Sequence, residues 1–482
     1  MTDDARTDRD GDDAASDRGA PRPPATPAKS DSSRSENGSS RSNPVTRRLD
    51  RRTLLRLGAV GAATAIAGCS GGDSDGDDAD PTNETDGEPG TDPESIPYTE
   101  EYGTVVDVVA DGGADPTAEA SIVPMLEEHA GDDTLLYFPP GEYLLDDLWE
   151  LPSFEHLGVV GQNATIVPKE GDFGYLFVFG LPNHDASDLL FEGLTFDCTA
   201  EDTAPRPIQA QIEDGLTVRD VSVKGIGGTA RFDVTDPEGS GVVSNLRMPD
   251  GGREPNPVGV LVGPANQGSL RFENCEVSGF PGNGLYASPS NGPIEVVGGL
   301  YENNGIASVR VSSPATVRDV TVRCTRSPQG FRNMRGIRLR HGESILVENC
   351  TIEMSDLTYT DGGLVIEPMM ESATIRDVDI ECSVDDYPAV HVKTAQHDAT
   401  DTSIDFERVR VTGSSSEGAA VQISDRGNCH LDELHVQQSG SNRDGIYLVR
   451  LTDSTLRDSE IDVTGDPLVL DDSQLTRTNN RL

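Results

Sequence analysis

The chain has 482 residues, of which 84 are Asp or Glu and 38 are Lys or Arg, so its formal net charge is −46. This acid excess argues against a nucleic acid as partner, because surfaces that bind phosphate backbones are basic. The same excess would repel itself strongly in dilute buffer, whereas molar salt shortens the Debye length to about 3 Å and screens it. The composition therefore predicts a protein from a halophilic cell.

Residues 1–69 are predicted to be a disordered segment that ends in an export signal. Residues 1–44 are mainly Asp, Ser, Arg and Pro without a hydrophobic period, so they cannot form a core. The pair Arg51-Arg52 then precedes an apolar run from Leu57 to Ala67, which is too short to span a bilayer. The run leads into Ile66-Ala67-Gly68-Cys69, a small-residue stretch that ends in cysteine.

This order of features resembles a twin-arginine signal followed by a lipobox. The resemblance implies that Cys69 becomes the lipidated N-terminus and anchors the protein to the extracellular face of the cell membrane. The alternative is a plain charge pair before a buried helix. Residues 70–97, which are rich in Gly, Asp, Glu and Pro, are predicted to be an extended acidic linker.

Residues 98–470 are predicted to form one domain, and residues 471–482 a C-terminal tail. The part at about 104–145 contains an amphipathic segment near Ser121 to His129, followed by Tyr137-Phe138-Pro139-Pro140-Gly141-Glu142-Tyr143. This order resembles the N-terminal coil of the pectate-lyase-like parallel β-helix superfamily. The resemblance implies that a short helix caps the open end of the rod, which would otherwise expose core and strand edges.

From residue 190 onward one pattern recurs, in which an apolar residue is followed by two polar or small residues, then apolar, polar and apolar. Its clearest copies begin at Val218, Val317 and Ile375, and looser copies recur 20 to 31 residues apart. A period of this size with short strands indicates a solenoid. A second strand lies between the copies, so each coil has at least two strands. Together with the resemblance, the repeat predicts an all-β, right-handed parallel β-helix of about eleven coils.

Cysteines recur at inward or turn positions of the repeat. They are Cys198, Cys275, Cys324, Cys350 and Cys382. Free cysteine behaves as a small buried hydrophobe, and disulfides form outside the cell. We favour stacked free thiols over disulfides.

Aligning the second strands brings their outward side chains into two neighbouring ladders. One ladder reads Tyr286, Arg310, Arg338, Val365, His391, Gln422 and Tyr447, and the other reads Ser288, Ser312, Arg340, Glu367, Lys393, Ser424 and Val449. The middle of this face is therefore cationic on a protein that is anionic almost everywhere else.

The same region is locally free of acids. No Asp or Glu occurs between Asp319 and Glu343, whereas six arginines do, at Arg323, Arg326, Arg332, Arg335, Arg338 and Arg340. Arginine binds carboxylate and sulfate groups through two parallel hydrogen bonds. We therefore expect an acidic polysaccharide as the partner and a monomeric protein, with cross-coil salt bridges as the alternative interpretation of the arginines.

The ladder residues can be assigned to lyase chemistry on a uronate. Such a reaction needs a neutralised carboxylate, a base and an acid. We assign Lys393 as base, Arg338 or Arg340 as neutraliser and His391 or a tyrosine as acid. Glu367 would position Lys393 or help to hold Ca²⁺, the one cofactor that we consider. The set resembles the Lys/Arg arrangement of alginate-type β-helix lyases.

Residues around this centre are expected to bind the polymer. They are Arg310, Arg332, Arg335, Tyr286 and Tyr447.

Two other functions stay open. A glycoside hydrolase needs a pair of carboxylates, for which Asp361, Glu367, Asp385, Asp386 and Asp425 are candidates. The motifs of the polygalacturonases are incomplete here, because no Asn-x-Asp occurs on a suitable strand and Arg340-His341-Gly342 lacks the first glycine of Gly-His-Gly. A non-catalytic surface rod is the second alternative, for which basic residues should be scattered over several faces.

Overall fold

The computed structural model describes residues 96–331, 333–396 and 403–482. The predicted export signal, the lipobox with Cys69 and the linker up to residue 95 lie outside the described residues. Within them, no helix is long and apolar enough to cross a membrane.

The described chain winds into a solenoid of short strands, in which every strand pairs in parallel with its counterpart in the next coil. One sheet of 27 strands bends at a corner and forms two faces, which we call face 1 and face 2, and a separate sheet of 13 strands forms face 3. The prediction of an all-β parallel β-helix is therefore confirmed, with about thirteen coils instead of about eleven. The additional coils precede the first copy of the repeat.

Two long strands cross the corner and belong to both face 1 and face 2. They are Phe154–Pro168 and Ala186–Cys198. The other strands of face 1 are Thr104–Asp107, Thr134–Phe138, Leu216–Arg219, Ser240–Ser244, Ser269–Glu273, Ile294–Val297, Ala315–Arg318, Ile345–Glu348, Ala373–Arg376, Ile404–Glu407, Cys429–Asp432, Ser454–Arg457 and Leu475–Thr478.

The other strands of face 2 each follow a face 1 strand in the chain. They are Thr117–Ser121, Gly141–Leu145, Ser222–Gly225, Arg247–Met248, Glu276–Ser278, Leu300–Glu302, Thr321–Cys324, Thr351–Met354, Asp379–Cys382, Arg410–Gly413, His435–Gln438 and Glu460–Asp462.

Face 3 closes each coil. Its strands are Trp149–Leu151, Tyr175–Phe179, Arg206–Ile212, Ala230–Val234, Val260–Leu261, Asn283–Tyr286, Ala307–Val311, Arg335–Gly342, Leu364–Met370, Val390–Val392, Ala419–Ser424, Asp444–Val449 and Leu468–Asp471.

The recurring sequence pattern covers two strands with a sharp corner between them. Asp220, Asp319 and Asp377 follow the Val-Arg or Ile-Arg of the three clearest copies, and each adopts a positive φ of 53° to 60°. Asp and Asn tolerate this left-handed conformation better than most residues, which explains why they recur there. The apolar positions on either side, such as Val218 and Val223, point into the core and are buried.

The first turn of the domain contains the short helix that was expected near Ser121 to His129. It spans Val123–His129, and its Met125 and Leu126 are buried in the same core cluster as the strand residues. At the other end, the strand Leu475–Thr478 pairs with Ser454–Arg457, so the solenoid continues into the segment that was predicted to be a tail.

The described cysteines are free and buried, as expected. They do not stack on one another as a ladder, however, because Met354 lies in register between Cys324 and Cys382. Burial raises the pKa of the thiols of Cys324 and Cys275 to about 12, so they are core residues without a reactive thiolate.

Candidate functional site

Face 3 carries the first of the two predicted ladders in the register that the sequence alignment implied. Successive pairs join Arg310 to Arg338, Arg338 to Val365, Val365 to His391, and His391 to Gln422. The intervening residues point inward, so the ladder side chains point away from the core. The second ladder is less regular, because Ser288, Ser312 and Lys393 follow the ends of their strands and the register shifts between Leu339 and His341.

Glu367 lies between two cations of these ladders. Its Oε1 accepts a hydrogen bond of 2.7 Å from Nε of Arg338 and lies 3.5 Å from Nζ of Lys393. The side chains of Arg338 and Glu367 are only 8% and 5% exposed, although both belong to the outward side of the strand. This buried ion pair is therefore much less screened by solvent than a surface pair would be.

Asp361 is the second carboxylate of the site and comes from the turn before the strand Leu364–Met370. Its Oδ2 accepts hydrogen bonds from Nζ of Lys393 at 2.8 Å, Nε of Arg335 at 2.9 Å and the amide of Asn333 at 2.9 Å. Its Oδ1 accepts one from the hydroxyl of Tyr359 at 3.3 Å. Residues from three successive coils thus converge on a single carboxylate.

Both carboxylates are held in the ionised form. Burial by itself raises the pKa of Asp361, but the charges of Arg335 and Lys393 outweigh burial and hold the pKa well below its usual range. The pKa of Glu367 is lowered as well, because Arg338 and Lys393 outweigh its burial. The ammonium of Lys393 thus lies between two ionised carboxylates.

His391 lies next to this ion-pair network but is kept neutral. Burial lowers the pKa of its imidazole, and the charge of Lys393 lowers it further. Its Nδ1 lies 3.1 Å from the main-chain oxygen of Asp361. Because a carbonyl oxygen can only accept, Nδ1 carries the proton, and the neutral ring keeps a lone pair on Nε2.

The arginines on the N-terminal side of the network have different surroundings. The guanidinium of Arg310 is buried and lies 4.6 Å from the ring centre of Tyr286. Arg340 is half-buried, and within the described residues its side chain forms no ion pair. The geometry thus brings Arg335, Arg338, His391, Lys393 and Glu367 together, with Arg310 and Arg340 on the adjoining strands.

Other predicted residues lie apart from the network. Tyr447 is two coils beyond His391 on the same ladder, and Arg332 lies outside the described residues. Arg323, which the acid-free stretch grouped with the site, is on face 2 and lies 3.5 Å from Glu353. The sequence run crosses a corner of the coil, so its arginines do not share one surface.

No protein-family model matches the sequence, and no curated protein matches it. Solved structures of low similarity do match. The surface adhesin PfbA of Streptococcus pneumoniae has 14% identity and a TM-score of 0.43, over 78% of this chain and 92% of that one. The A-module of a mannuronan C-5 epimerase from Azotobacter vinelandii has 15% identity and a TM-score of 0.36, over 72% and 98%.

A Family 28 exopolygalacturonase of Yersinia enterocolitica has 11% identity and a TM-score of 0.40, over 76% of this chain and 79% of that one. Likenesses this weak carry no conclusion about a ligand or a reaction, both of which must come from the residues of this chain.

Ca²⁺ does not fit the position that was considered for it. The Oε1 atom of Glu367 already accepts from Arg338 and faces Lys393, and a further cation there would be repelled. Within the described ranges, no group of three or more His, Cys, Asp or Glu residues could hold a metal ion.

Three further carboxylates had been considered for a hydrolase. Asp425 binds the guanidinium of Arg450, with an oxygen 2.7 Å from Nη2, and Asp385 accepts from the main-chain nitrogen of Ser416 at 2.7 Å. Asp386 lies beside Asp385 in a turn with a positive φ of 68°. None of the three contacts the network around Asp361 in the described structure.

Sequence reasoning missed Asn333 and Tyr359 as members of the site. Both lie in turns that lead into face 3 strands, one coil apart, and each donates to Asp361. The alignment that produced the ladders stopped at the strands. Extending it one turn towards the N-terminus would have placed Asn333 beside Asp361.

Proposed function

We propose that face 3 binds an acidic polysaccharide of the uronate or sulfated type, and that the network around His391 and Lys393 cleaves a uronate chain by β-elimination. The observation that supports this proposal is the excess of cations on the outward side of face 3. Even without Arg310 and Arg335, the three cations Arg338, Arg340 and Lys393 outnumber the two carboxylates of Asp361 and Glu367.

Such an excess is unusual for a chain with a net charge of −46. A charge that is removed from water without a partner is costly, so a half-buried guanidinium such as that of Arg340 favours an anionic ligand. A carboxylate or sulfate can accept two parallel hydrogen bonds from it. In molar salt this short contact persists, whereas long-range attraction is screened.

The repetition of the ladders favours a polymer over a small anion. Coils repeat every ~4.8 Å along the rod. A sugar residue in an extended chain advances by a similar length, so successive sugars can meet equivalent ladder positions on successive coils. Tyr286, Arg310, Arg338 and His391 occupy such positions on face 3.

His391 is the base in this proposal, and Lys393 is not. A base needs a neutral form at working pH, which burial favours for His391, whereas the amine of Lys393 is already engaged by the carboxylates of Asp361 and Glu367. Nε2 of His391 takes the proton from the carbon next to the uronate carboxylate. Arg340 and Lys393 stabilise the negative charge that develops on that carboxylate.

The remaining steps balance within the same group. The electron pair of the broken C–H bond forms a carbon–carbon double bond, and the bond to the glycosidic oxygen breaks. The imidazolium of His391 returns its proton to this leaving oxygen, so the ring is neutral again after one turnover.

The geometry gives less support to a hydrolase. Asp361 and Glu367 each have an oxygen within 3.5 Å of Nζ of Lys393, so these oxygens are at most about 7 Å apart, a distance compatible with glycoside hydrolysis. The pKa of both carboxyl groups is lowered, however. A hydrolase needs one of the pair protonated as general acid.

The proposed location follows from the sequence. A twin-arginine signal and lipidation at Cys69 would place a monomeric β-helix on the outer face of the cell membrane, where long polysaccharides occur. The acidic linker up to residue 97 would extend the domain away from the lipid surface by self-repulsion.

An assay of the full chain in molar salt tests the function. We expect it to bind polygalacturonate or polymannuronate and to generate ultraviolet absorbance from an unsaturated uronate. New reducing ends without that absorbance would indicate hydrolysis, and binding without either product would indicate a non-catalytic rod. Equal affinity for neutral and acidic polysaccharides would refute the proposal.

Arg340→Ala is the diagnostic variant for binding. It removes a charged hydrogen-bonding partner worth about 1.5–3 kcal/mol, so the affinity for an acidic chain should fall by roughly tenfold or more. Arg323→Ala is the matched control, since it removes an exposed arginine of face 2 and should leave the affinity unchanged. Similar losses in the two variants would mean that net charge alone governs binding.

A further inference from the structure

Two tyrosines form an aromatic pair beside the charged network. The rings of Tyr359 and Tyr387 lie 5.5 Å apart at an angle of 79°, an edge-to-face contact between turns of neighbouring coils. Tyr359 is 43% exposed, and within the described residues it is the single aromatic among the exposed large hydrophobic side chains. Aromatic residues make up only 5% of the chain, so an exposed tyrosine with a half-buried aromatic partner at this place needs an explanation.

The exposed ring is tied directly to the site. The hydroxyl of Tyr359 donates to Oδ1 of Asp361 at 3.3 Å, and the other oxygen of that carboxylate accepts from Lys393 at 2.8 Å. Tyr359 and Lys393 thus both donate to the carboxylate of Asp361, and these two hydrogen bonds position the ring relative to the cationic network. A ligand that contacts Lys393 is within reach of the ring.

The partner ring is also held in place. The main-chain oxygen of Tyr387 accepts a hydrogen bond of 2.8 Å from the guanidinium of Arg443, whose side chain is fully buried. Tyr387 is thus part of a fixed turn, and its edge-to-face contact restricts the orientation of Tyr359. A platform of this kind loses little conformational entropy when a ligand binds.

Other exposed apolar groups occur near the same strands. Ile306 is 37% exposed, and its main-chain oxygen accepts from Arg335 of the network at 3.3 Å. Met369 is 40% exposed and lies near the far end of the strand that carries Glu367. Charged groups and apolar groups therefore alternate across face 3, whereas a protein-docking surface would present one larger apolar patch.

We propose that the Tyr359–Tyr387 pair is a sugar-stacking subsite, which takes the apolar C–H face of a pyranose ring next to the sugar whose carboxylate contacts Lys393 and Arg340. A pyranose has polar edges and apolar faces, which matches a flat ring bordered by charged hydrogen-bonding groups. This inference rests on the proposed function. It adds that the ligand must offer the apolar face of a pyranose ring as well as a negative charge.

The subsite would also maintain affinity for the sugar chain at molar salt. Long-range attraction between charges is screened at molar salt, whereas burial of apolar surface persists there. Stacking on Tyr359 would thus provide affinity under conditions in which the arginines contribute only through direct contact. The two contributions can be separated by measuring affinity at two salt concentrations.

The test compares variants of the full chain by calorimetric binding of a galacturonate hexamer at two salt concentrations, both high enough to keep the protein folded. Tyr359→Ala should weaken binding about tenfold, or about 1.4 kcal/mol, by a similar factor at both salt concentrations. Tyr359→Phe keeps the ring and its contact with Tyr387 but loses the hydrogen bond to Asp361, so it should bind more tightly than Tyr359→Ala. Leu148→Ala, which removes another exposed apolar side chain, is the matched control and should bind normally.

Tyr359→Leu is a second variant for the case that Tyr359→Ala folds poorly. It keeps an apolar contact with Tyr387 but lacks a flat ring face, so its affinity for the hexamer should fall as in Tyr359→Ala. Wild-type affinity in Tyr359→Leu or Tyr359→Ala, with the wild type binding the hexamer, would overturn the subsite and leave the proposed function intact. Failure of the wild type to bind any acidic oligomer would overturn both.

Discussion

At the scale of single residues, His391 and Lys393 show how neighbouring positions place two basic groups in different surroundings. Lys393 directly follows the strand Val390–Val392 and is two positions after His391, so both side chains point to the same side. Lys393 reaches the carboxylates of Asp361 and Glu367, whereas His391 meets a main-chain oxygen and a buried surface. The pKa of the histidine is therefore lowered, which favours its neutral form and leaves the ring available to take a proton.

The protonation of His391 provides a test that does not depend on turnover. Burial and the charge of Lys393 lower the pKa of His391, so its imidazole should titrate at a pH below the ordinary histidine value of about 6.5. Lys393→Met removes one of these causes and should move the titration to higher pH. Histidine NMR titration, with His391→Gln to assign the signal, measures both.

Arg323→Met is the control for this experiment, because it removes a cation from face 2 and should leave the titration of His391 where it was. An ordinary titration near pH 6.5 in the wild type, or no response to Lys393→Met, would contradict the assignment of His391 as the neutral base.

At the scale of strands and turns, buried arginines connect coils that are not adjacent. The guanidinium of Arg426 donates to the main-chain oxygens of Lys393 at 3.0 Å, Glu367 at 2.9 Å and Met370 at 2.5 Å. Two of these oxygens belong to residues of the site network. Arg426 therefore keeps the ends of two face 3 strands in place, and with them the spacing between Glu367 and Lys393.

Arg426→Met should destabilise the fold, because three buried carbonyl oxygens lose a charged donor at once. We expect the free energy of unfolding to fall by about 3 kcal/mol, measured by urea denaturation in molar salt. Arg408→Met is the matched control, since it removes an exposed arginine that binds Asp377 at the surface. Its unfolding midpoint should barely change, and an equal shift in both variants would show that Arg426 has no special structural role.

At the scale of the whole molecule, repulsion between the many acids opposes the close stacking of coils that the solenoid requires. Parallel stacking brings the outward side chains of successive coils to a spacing of ~4.8 Å. Some carboxylates are paired across coils, as Glu348 is with Arg376 and Glu295 with Arg271. With 84 acids and 38 bases, the chain has 46 more acids than basic residues that could pair with them.

We therefore expect the fold to depend on salt. Dialysis from molar salt into dilute buffer should abolish the β-sheet signal in circular dichroism, because the repulsion between stacked acids is no longer screened. Sodium and potassium chloride should restore the signal at the same ionic strength if screening is the cause. An unchanged spectrum after desalting would remove the halophilic interpretation but not the β-helix.

The repeat, together with the resemblance to the β-helix superfamily, was enough to predict the architecture and the register of the first ladder on face 3. Inward apolar residues such as Val309, Ile337 and Val390 recur once per coil, and a strand with alternating sides has one register that buries them all. For the same reason the positions of Arg338, His391 and Lys393 on one surface could be predicted. The short helix followed from its amphipathic pattern and from the need to cover the end of the rod.

Only the tertiary structure decided which of these residues interact. The corner at Asp319 places Arg323 on face 2, away from the arginines that follow it in the sequence. Turns of unequal length then bring Asp361 from one coil under Lys393 of the next, 32 residues later. Strand periodicity does not specify the path of a turn, and the ionisation of a buried group depends on neighbours that only this path supplies.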